Sequence, residues 1–69
     1  MQISINGEER QLNSEELSIL NLLEAEKVEA PEMVSVQVNG RVVNRTDYEK
    51  HVLRNGDEVD FLYFMGGGR

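Results

Sequence analysis

The chain has 69 residues, and its 13 acidic against 7 basic side chains give a formal net charge of −6. A chain of this length forms one domain with a small core, which disfavours a self-contained enzyme with its own catalytic cleft. The acidic balance disfavours nucleic acid and anionic membranes as partners, because both select a basic surface. The chain contains no cysteine, so it has no disulfide, no thiolate metal site and no cysteine nucleophile.

The sequence also predicts where the protein works. No apolar run is long enough to span a membrane, and the first residues enter a strand pattern directly instead of resembling a secretion signal. We therefore expect a cytoplasmic protein without membrane association, whose partners are proteins with a basic docking face.

The first half of the chain predicts a hairpin followed by a helix. Polar and apolar residues alternate over residues 1–5, and the Asn-Gly dipeptide that follows is a strong signal for a tight hairpin turn into a strand at residues 8–12. From residue 15 to about residue 27, leucine and isoleucine recur at helical spacing. We expect an amphipathic helix over residues 15–27, with Asn13 or Ser14 as its N-cap.

The second half predicts three more strands. Valine alternates with polar residues over residues 33–38, a second Asn-Gly dipeptide follows, and Val42 and Val43 begin the return strand. Thr46 and Glu49 have capping-box spacing, which predicts a single helical turn. A third Asn-Gly dipeptide precedes the last strand, residues 58–64, which is apolar on both faces.

This order of elements predicts an α+β fold of the β-grasp (ubiquitin-like) type. Such a fold is a ββαββ mixed sheet with one main helix packed on one face. The first and last strands must then pair in the middle of the sheet. We expect residues 1–64 to form the β-grasp domain and residues 65–69 to form a flexible, glycine-rich C-terminal tail.

The end of the sequence is a run of glycines, Gly66, Gly67 and Gly68, followed by Arg69. Glycine costs the most entropy to order, so a run of it suits a bare backbone that threads into a narrow site on another protein. The alternative interpretation is an ordinary frayed terminus.

Several segments together resemble the ThiS family, the bacterial sulfur carriers of thiamine biosynthesis. They are Met-Gln-Ile at residues 1–3, VNGRVVNR at residues 38–45 and Gly-Asp-Glu-Val at residues 56–59. The second is similar to the family's VNxxxVPR pattern, with Asn44 where proline is common. Their order and spacing place the family's terminal Gly-Gly on residues 67–68, and the resemblance covers the whole chain.

The resemblance implies a carrier, not an enzyme. A ubiquitin-activating-like (ThiF-like) adenylyltransferase, using ATP and magnesium, would join AMP to the carboxylate of Gly68. A persulfide sulfur would then replace AMP, and the resulting thiocarboxylate would give its sulfur to a ThiG-like thiazole synthase. Gly66 and Gly67 would let the tail thread into these enzymes. This chain would itself bind no metal and no cofactor.

Arg69 departs from the family's usual ending. As written, the carbonyl of Gly68 is part of a peptide bond and cannot be adenylated. Our hypothesis is that a peptidase removes Arg69 during maturation. The alternatives are a carrier that has lost the chemistry and an engineered residue.

Three residues near the tail are candidates for partner docking: Leu62, Phe64 and Met65. Leu62 and Phe64 share one face of the last strand, where an exposed apolar patch would dock on the activating enzyme and the synthase. The alternative is that they are the second face of a central strand.

The other chemically reactive residues have structural explanations. His51 is the only histidine, and no metal-ligand spacing surrounds it. The acidic pairs at residues 15–16 and 57–58 have no nucleophile to assist, and helix-start and turn chemistry account for them.

Three functions fit the sequence. The favoured one is a sulfur carrier for thiazole synthesis. A second is a carrier of the same fold that serves molybdopterin (MoaD-like), cysteine or methionine synthesis. A third is a non-covalent β-grasp binding module, such as a TGS-like domain, in which the tail is dispensable.

Overall fold

A five-stranded mixed sheet packs on one helix in the computed structural model, which describes residues 1–63. The elements in chain order are β1 (Gln2–Ile5), β2 (Glu8–Gln11), β3 (Leu17–Ser18), α1 (Ile19–Ala25), β4 (Val34–Val38), β5 (Arg41–Val43), β6 (Val52–Leu53) and β7 (Glu58–Tyr63). The five-stranded sheet has the order β2-β1-β7-β4-β5, and β3 pairs with β6 in a separate small sheet. The predicted α+β architecture is confirmed.

The last strand lies at the centre of the sheet, as the sequence predicted. On one side β7 runs parallel to β1, with Ile5 opposite Val59. On the other side β7 runs antiparallel to β4 along the whole length of β4, from Val38 opposite Val59 to Val34 opposite Tyr63. Because β1 is the first strand of the described chain, its first and last strands are joined inside one sheet.

The core lies between α1 and the inner face of this sheet. Alternation in the strands and the apolar stripe of the helix bring these side chains together. The buried residues of the described chain are Ile3, Ile5, Ile19, Leu22, Leu23, Val34, Val36, Val38, Tyr48, Leu53, Val59 and Phe61.

The helix is shorter than the sequence predicted, and its predicted N-cap is wrong. Residues 15–18 are not helical, because Leu17 and Ser18 pair with Leu53 and Val52 of β6. The helix begins at Ile19, where the Ser18 hydroxyl oxygen accepts a hydrogen bond from the Asn21 N–H at 3.1 Å. Leucine at helical spacing therefore predicted a helix in residues 15–18, where pairing of Leu17 and Ser18 with β6 holds the backbone in an extended conformation.

The C-terminal end of the helix is close to the predicted one. Lys27 adopts a left-handed conformation (φ 58°) just after the last helical residues. Its N–H donates to the Glu24 carbonyl, and the Val28 N–H donates to the Leu23 carbonyl. These two bonds form a Schellman motif, which satisfies the last carbonyls of the helix.

Within residues 1–63, no helix is long and apolar enough to cross a membrane.

The predicted helical turn in the second half exists, but Thr46 does not cap it. The turn is a 3-10 helix over Arg45–Asp47, and Asn44 occupies the capping position without a side-chain hydrogen bond. A further 3-10 turn, Pro31–Met33, leads into β4. The turn at Arg45–Asp47 ends at Tyr48, which is buried.

Tyr48 closes a gap beside β4 that the short strand β5 leaves open. The last residue of β5, Val43, lies opposite Val36, so Val34 has no partner in β5. The Tyr48 hydroxyl occupies this position: it accepts a hydrogen bond from the Val36 N–H at 3.1 Å and donates one to the Val34 carbonyl at 3.2 Å. The side chain is 5% exposed, so water cannot replace the hydroxyl without opening the core.

We expect Tyr48→Phe to destabilise the fold. Removing the hydroxyl leaves two buried backbone groups with one partner fewer, which costs about 1–2 kcal/mol of unfolding free energy. Urea unfolding followed by circular dichroism measures the change. Tyr63→Phe is the matched control: Tyr63 is 54% exposed, so losing its hydroxyl changes stability by no more than about 0.5 kcal/mol. Equal stabilities of the two variants would contradict the role given to Tyr48.

Candidate functional site

The candidate site is the C-terminal half of β7, because the glycine run follows it in the sequence. Val59 and Phe61 lie on the inner face of the sheet and are buried. Asp60 and Leu62 lie on the outer face, opposite Gln37 and Ser35 of β4. The strand that leads to the tail is therefore anchored in the core through alternate residues.

Asn6 holds β7 where β1 turns away from it. Its backbone N–H donates to the Val59 carbonyl at 2.9 Å, and its side-chain oxygen accepts from the Phe61 N–H at 2.8 Å. Asn6 is left-handed (φ 52°) and the next residue, Gly7, has φ 85°, as a type I′ hairpin turn requires. The turn thus brings the amide side chain alongside β7, where it takes the place of the next residue of a longer β1.

Asn39, in the second Asn-Gly turn, fixes the start of β7 from the opposite side. Its side-chain oxygen accepts from the Glu58 N–H at 2.9 Å, and its backbone N–H donates to the Glu58 carbonyl at 2.7 Å. Its amide nitrogen donates to an Asp57 carboxylate oxygen at 3.1 Å. The other oxygen of Asp57 accepts from the Arg54 N–H at 2.9 Å. The carboxylate of Asp57 therefore belongs to the turn, as the sequence indicated.

The third Asn-Gly turn holds the neighbouring strand. The Asn55 side-chain oxygen accepts from the Gln2 N–H at 2.8 Å, and the Gly56 N–H donates to the Gln2 carbonyl at 2.7 Å. The sequence predicted the three dipeptides as turns. It did not reveal that each asparagine side chain reaches a backbone group of β1 or β7, because that depends on the distant strand beside it.

One of the three docking candidates is among the exposed apolar residues of β7. Leu62 is 43% exposed on the outer face of the sheet, and Tyr63 is 54% exposed at the end of β7. On the same outer face, Val42 of β5 is 62% exposed. Nothing in residues 1–63 covers Leu62 in the way that α1 covers the inner face.

The remaining candidates lie outside the described residues. These are the docking candidates Phe64 and Met65, the glycines Gly66, Gly67 and Gly68, and the predicted processing residue Arg69. The predicted boundary between domain and tail, after residue 64, falls there too.

His51 has a structural position. Its backbone N–H donates to the Asp47 carbonyl at 2.7 Å, and its carbonyl accepts from the Ile19 N–H at 3.0 Å. These bonds connect the 3-10 turn to the start of the helix. In the part of the chain that the structure describes, no group of three or more histidine or acidic side chains is arranged to hold a metal ion.

The comparison with protein families gives one match over almost the whole chain. The sequence model described as "ThiS family" matches residues 3–68. The matched residues begin in β1 and extend through the glycine run.

Solved structures agree with this match. The crystal structure of the thiamine biosynthesis protein ThiS from Geobacter metallireducens is 40% identical, with a TM-score of 0.89 over 99% of this chain and 100% of that one. A solution NMR structure of a thiamine biosynthesis protein from the same organism is also 40% identical, with a TM-score of 0.82 over 100% of this chain and 90% of that one.

A curated relative is much longer than this chain. It is a thiazole synthase from Magnetococcus marinus, 38% identical over 69 residues. The match covers 100% of this chain but only 21% of the relative. This chain therefore corresponds to about a fifth of that protein.

We expect Asn6→Gly to loosen β7 at Phe61. Glycine accepts the left-handed conformation of residue 6 without strain, so the variant loses only the side-chain oxygen that binds the Phe61 N–H. The loss costs about 1 kcal/mol of unfolding free energy, and exchange of the Phe61 amide hydrogen, measured by NMR, becomes faster. Asn6→Asp is the control, since its carboxylate keeps an acceptor oxygen and should preserve the slow exchange. If both variants exchange at the rate of the unsubstituted chain, the Asn6 side chain does not hold β7.

Proposed function

The chain belongs to the ThiS family, and we propose that it is a sulfur carrier that supplies sulfur for the thiazole ring of thiamine. The observation that carries this proposal is the family match, because it extends over residues 3–68 and so includes the glycine run. The similarity to the solved ThiS structure over nearly the full length of both chains supports it.

We place the chemistry at Gly68. A ThiF-like adenylyltransferase, using ATP and magnesium, would join the Gly68 carboxylate to AMP and release pyrophosphate. The mixed anhydride makes the glycine carbonyl electrophilic, so the terminal sulfur of a persulfide can attack it and displace AMP. A thiol would then cleave the resulting acyl disulfide and leave the thiocarboxylate. The carrier supplies no catalytic group to these steps and binds no cofactor in them.

The described part of the chain suits this role through the position of β7. The strand is paired on both sides, and Val59 and Phe61 anchor it in the core. Gly68 is the fifth residue after Tyr63, so the chain between them spans at most about 17 Å when fully extended. A partner that receives Gly68 must therefore bind close to the end of β7.

A thiazole synthase is the proposed acceptor of the sulfur. The support is the relative from Magnetococcus marinus, a thiazole synthase in which a segment similar to this whole chain is part of the same polypeptide. Joining two modules in one chain raises their effective concentration for each other. In the present proposal this chain binds a ThiG-like synthase in the same way.

Arg69 must be removed before this chemistry can occur. While Arg69 is attached, Gly68 has no free carboxylate, so we propose that a peptidase cleaves the bond between them. Once Gly68 ends the chain, its carboxylate is free to be adenylated.

We expect the truncated chain ending at Gly68 to be a substrate for adenylation and the chain with Arg69 to be inert. Each is incubated with the ThiF-like enzyme of the same genome, ATP, magnesium and a persulfide donor, and the intact mass is measured. The truncated chain should gain the mass difference of one oxygen replaced by sulfur. If it is unchanged under conditions that convert a known ThiS protein, the sulfur-carrier proposal is wrong, and a non-covalent binding module becomes the better interpretation. Conversion with Arg69 still attached would instead exclude the maturation step.

We expect Leu62→Asp to weaken docking of the carrier on the adenylating enzyme. A charge in the centre of an apolar contact must be desolvated on binding, which costs about 2 kcal/mol and lowers the affinity by roughly thirtyfold. Val52→Asp is the matched control, because Val52 and Leu62 are each 43% exposed and Val52 lies in the small sheet away from β7. Isothermal titration calorimetry compares the two variants. Equal losses of affinity would show that added charge alone, and not the position of Leu62, weakens binding.

A further inference from the structure

Within residues 1–63, no strand pairs with the β1-facing edge of β7 over the second half of the strand, and we call this part the open edge. The ladder between β1 and β7 contains two residue pairs, Ser4 with Glu58 and Ile5 with Val59. Beyond them β1 turns away, and the hydrogen bond from the Phe61 N–H to the Asn6 side chain is the last one on that side within residues 1–63. β7 continues to Tyr63, so it extends past its neighbour.

The backbone groups on this open edge can be identified from the register. In a β-strand, the backbone N–H and C=O groups of every second residue point to the same edge. Val59 accepts from Asn6 and Phe61 donates to Asn6, which places the backbone groups of residues 59, 61 and 63 on the β1 side. The Phe61 C=O and the Tyr63 N–H therefore face the open edge, whereas the backbone groups of Leu62 face β4.

The open edge lacks the protection that the outer edges of the sheet have. β2 presents two glutamates and an arginine, and β5 presents Arg41, all exposed. Charged side chains on an edge strand discourage pairing with another chain. Residues 61–63 are Phe, Leu and Tyr, and the last two are exposed apolar side chains. An unprotected edge of this kind is suited to strand addition.

We propose that the open edge of β7 receives an extended backbone segment of the enzyme that adenylates the tail, added as a strand beside residues 61–63. The inference rests on the proposed function. The added strand accepts a hydrogen bond from the Tyr63 N–H and donates one to the Phe61 C=O. It extends the pairing toward the tail and holds the chain straight as Gly68 enters the active site.

Two observations favour this occupant over a second copy of the chain. Each chain has a formal net charge of −6, so two copies repel each other as they approach. The edge also leads directly into the glycine run, because Gly68 is only the fifth residue after Tyr63. An enzyme that takes up Gly68 must therefore lie against the end of this edge.

Proline at position 63 tests the hydrogen bond. Proline lacks the backbone N–H but is tolerated in a strand where that N–H faces an open edge, so Tyr63→Pro should fold. Tyr63→Ala is the matched control, because it removes the same side chain and keeps the N–H. Both are made in the chain ending at Gly68, and their affinity for the adenylating enzyme is measured by calorimetry. We expect Tyr63→Pro to bind about tenfold more weakly than Tyr63→Ala.

A second measurement does not depend on how proline is tolerated. Exchange of the Tyr63 amide hydrogen in the unsubstituted chain ending at Gly68 should be fast alone and slow by at least about tenfold in the complex with the adenylating enzyme. Unchanged exchange on binding, or equal affinities of the two variants, overturns strand addition. So does a dimer of the free chain in sedimentation that Tyr63→Pro converts to a monomer, since the edge would then pair with a second copy.

Failure of the proposed function gives a different result. In that case the unsubstituted chain ending at Gly68 is not adenylated at all. If strand addition alone is wrong, that chain is adenylated and the proline and alanine variants do not differ.

Discussion

The pairing of the two ends of the chain in the centre of one sheet is the constraint on which the rest of the structure depends. β7 is hydrogen-bonded to β1 on one side and to β4 on the other. The contact between β1 and β7 joins residues more than fifty positions apart, as for Ser4 and Glu58. Closing such a loop costs conformational entropy before any contact repays it. The sheet is therefore complete only when residues 58–63 are in place, and the strand that bears the tail is also the strand that completes the fold.

Because several strands are short, side chains complete the backbone hydrogen bonding of the sheet. β5 has three residues and β1 has four, so each ends before the strand beside it. Beyond the end of β5, the Tyr48 hydroxyl bonds backbone groups of β4. Beyond the end of β1, the Asn6 side-chain oxygen accepts from the Phe61 N–H of β7. A backbone group left unpaired in the interior would cost about 1–3 kcal/mol. In a domain this small, that is a large part of the total stability.

The features of this structure that the sequence predicts are those with local signals, and the features it misses depend on contacts between distant strands. The β1 and β4 strands follow from alternation, β7 follows from an apolar run after a turn signal, and the three turns follow from Asn-Gly dipeptides. All of these signals are local. The helix start could not be predicted, since Leu17 fits the helical spacing and only its pairing with Leu53 in β6 makes it extended. Tyr48 gave no signal, because its burial depends on where β5 stops. In the candidate site, alternation places Leu62 on the face opposite Phe61 but does not show that this face is uncovered. The hydrogen bond between Asn6 and Phe61 requires the register between two distant strands.

The proposed chemistry sets a limit on how partners can share this surface. Two enzymes must receive the same glycine, one to activate it and one to accept its sulfur, and each must bind within about 17 Å of Tyr63 along the tail. The surface within that reach includes the end of β7, its open edge and the outer face around Leu62. In this proposal both enzymes contact the end of β7, so they compete for it and bind one after the other. Such an exchange requires complexes that dissociate readily, which a small interface built from a short strand edge and a few apolar side chains provides.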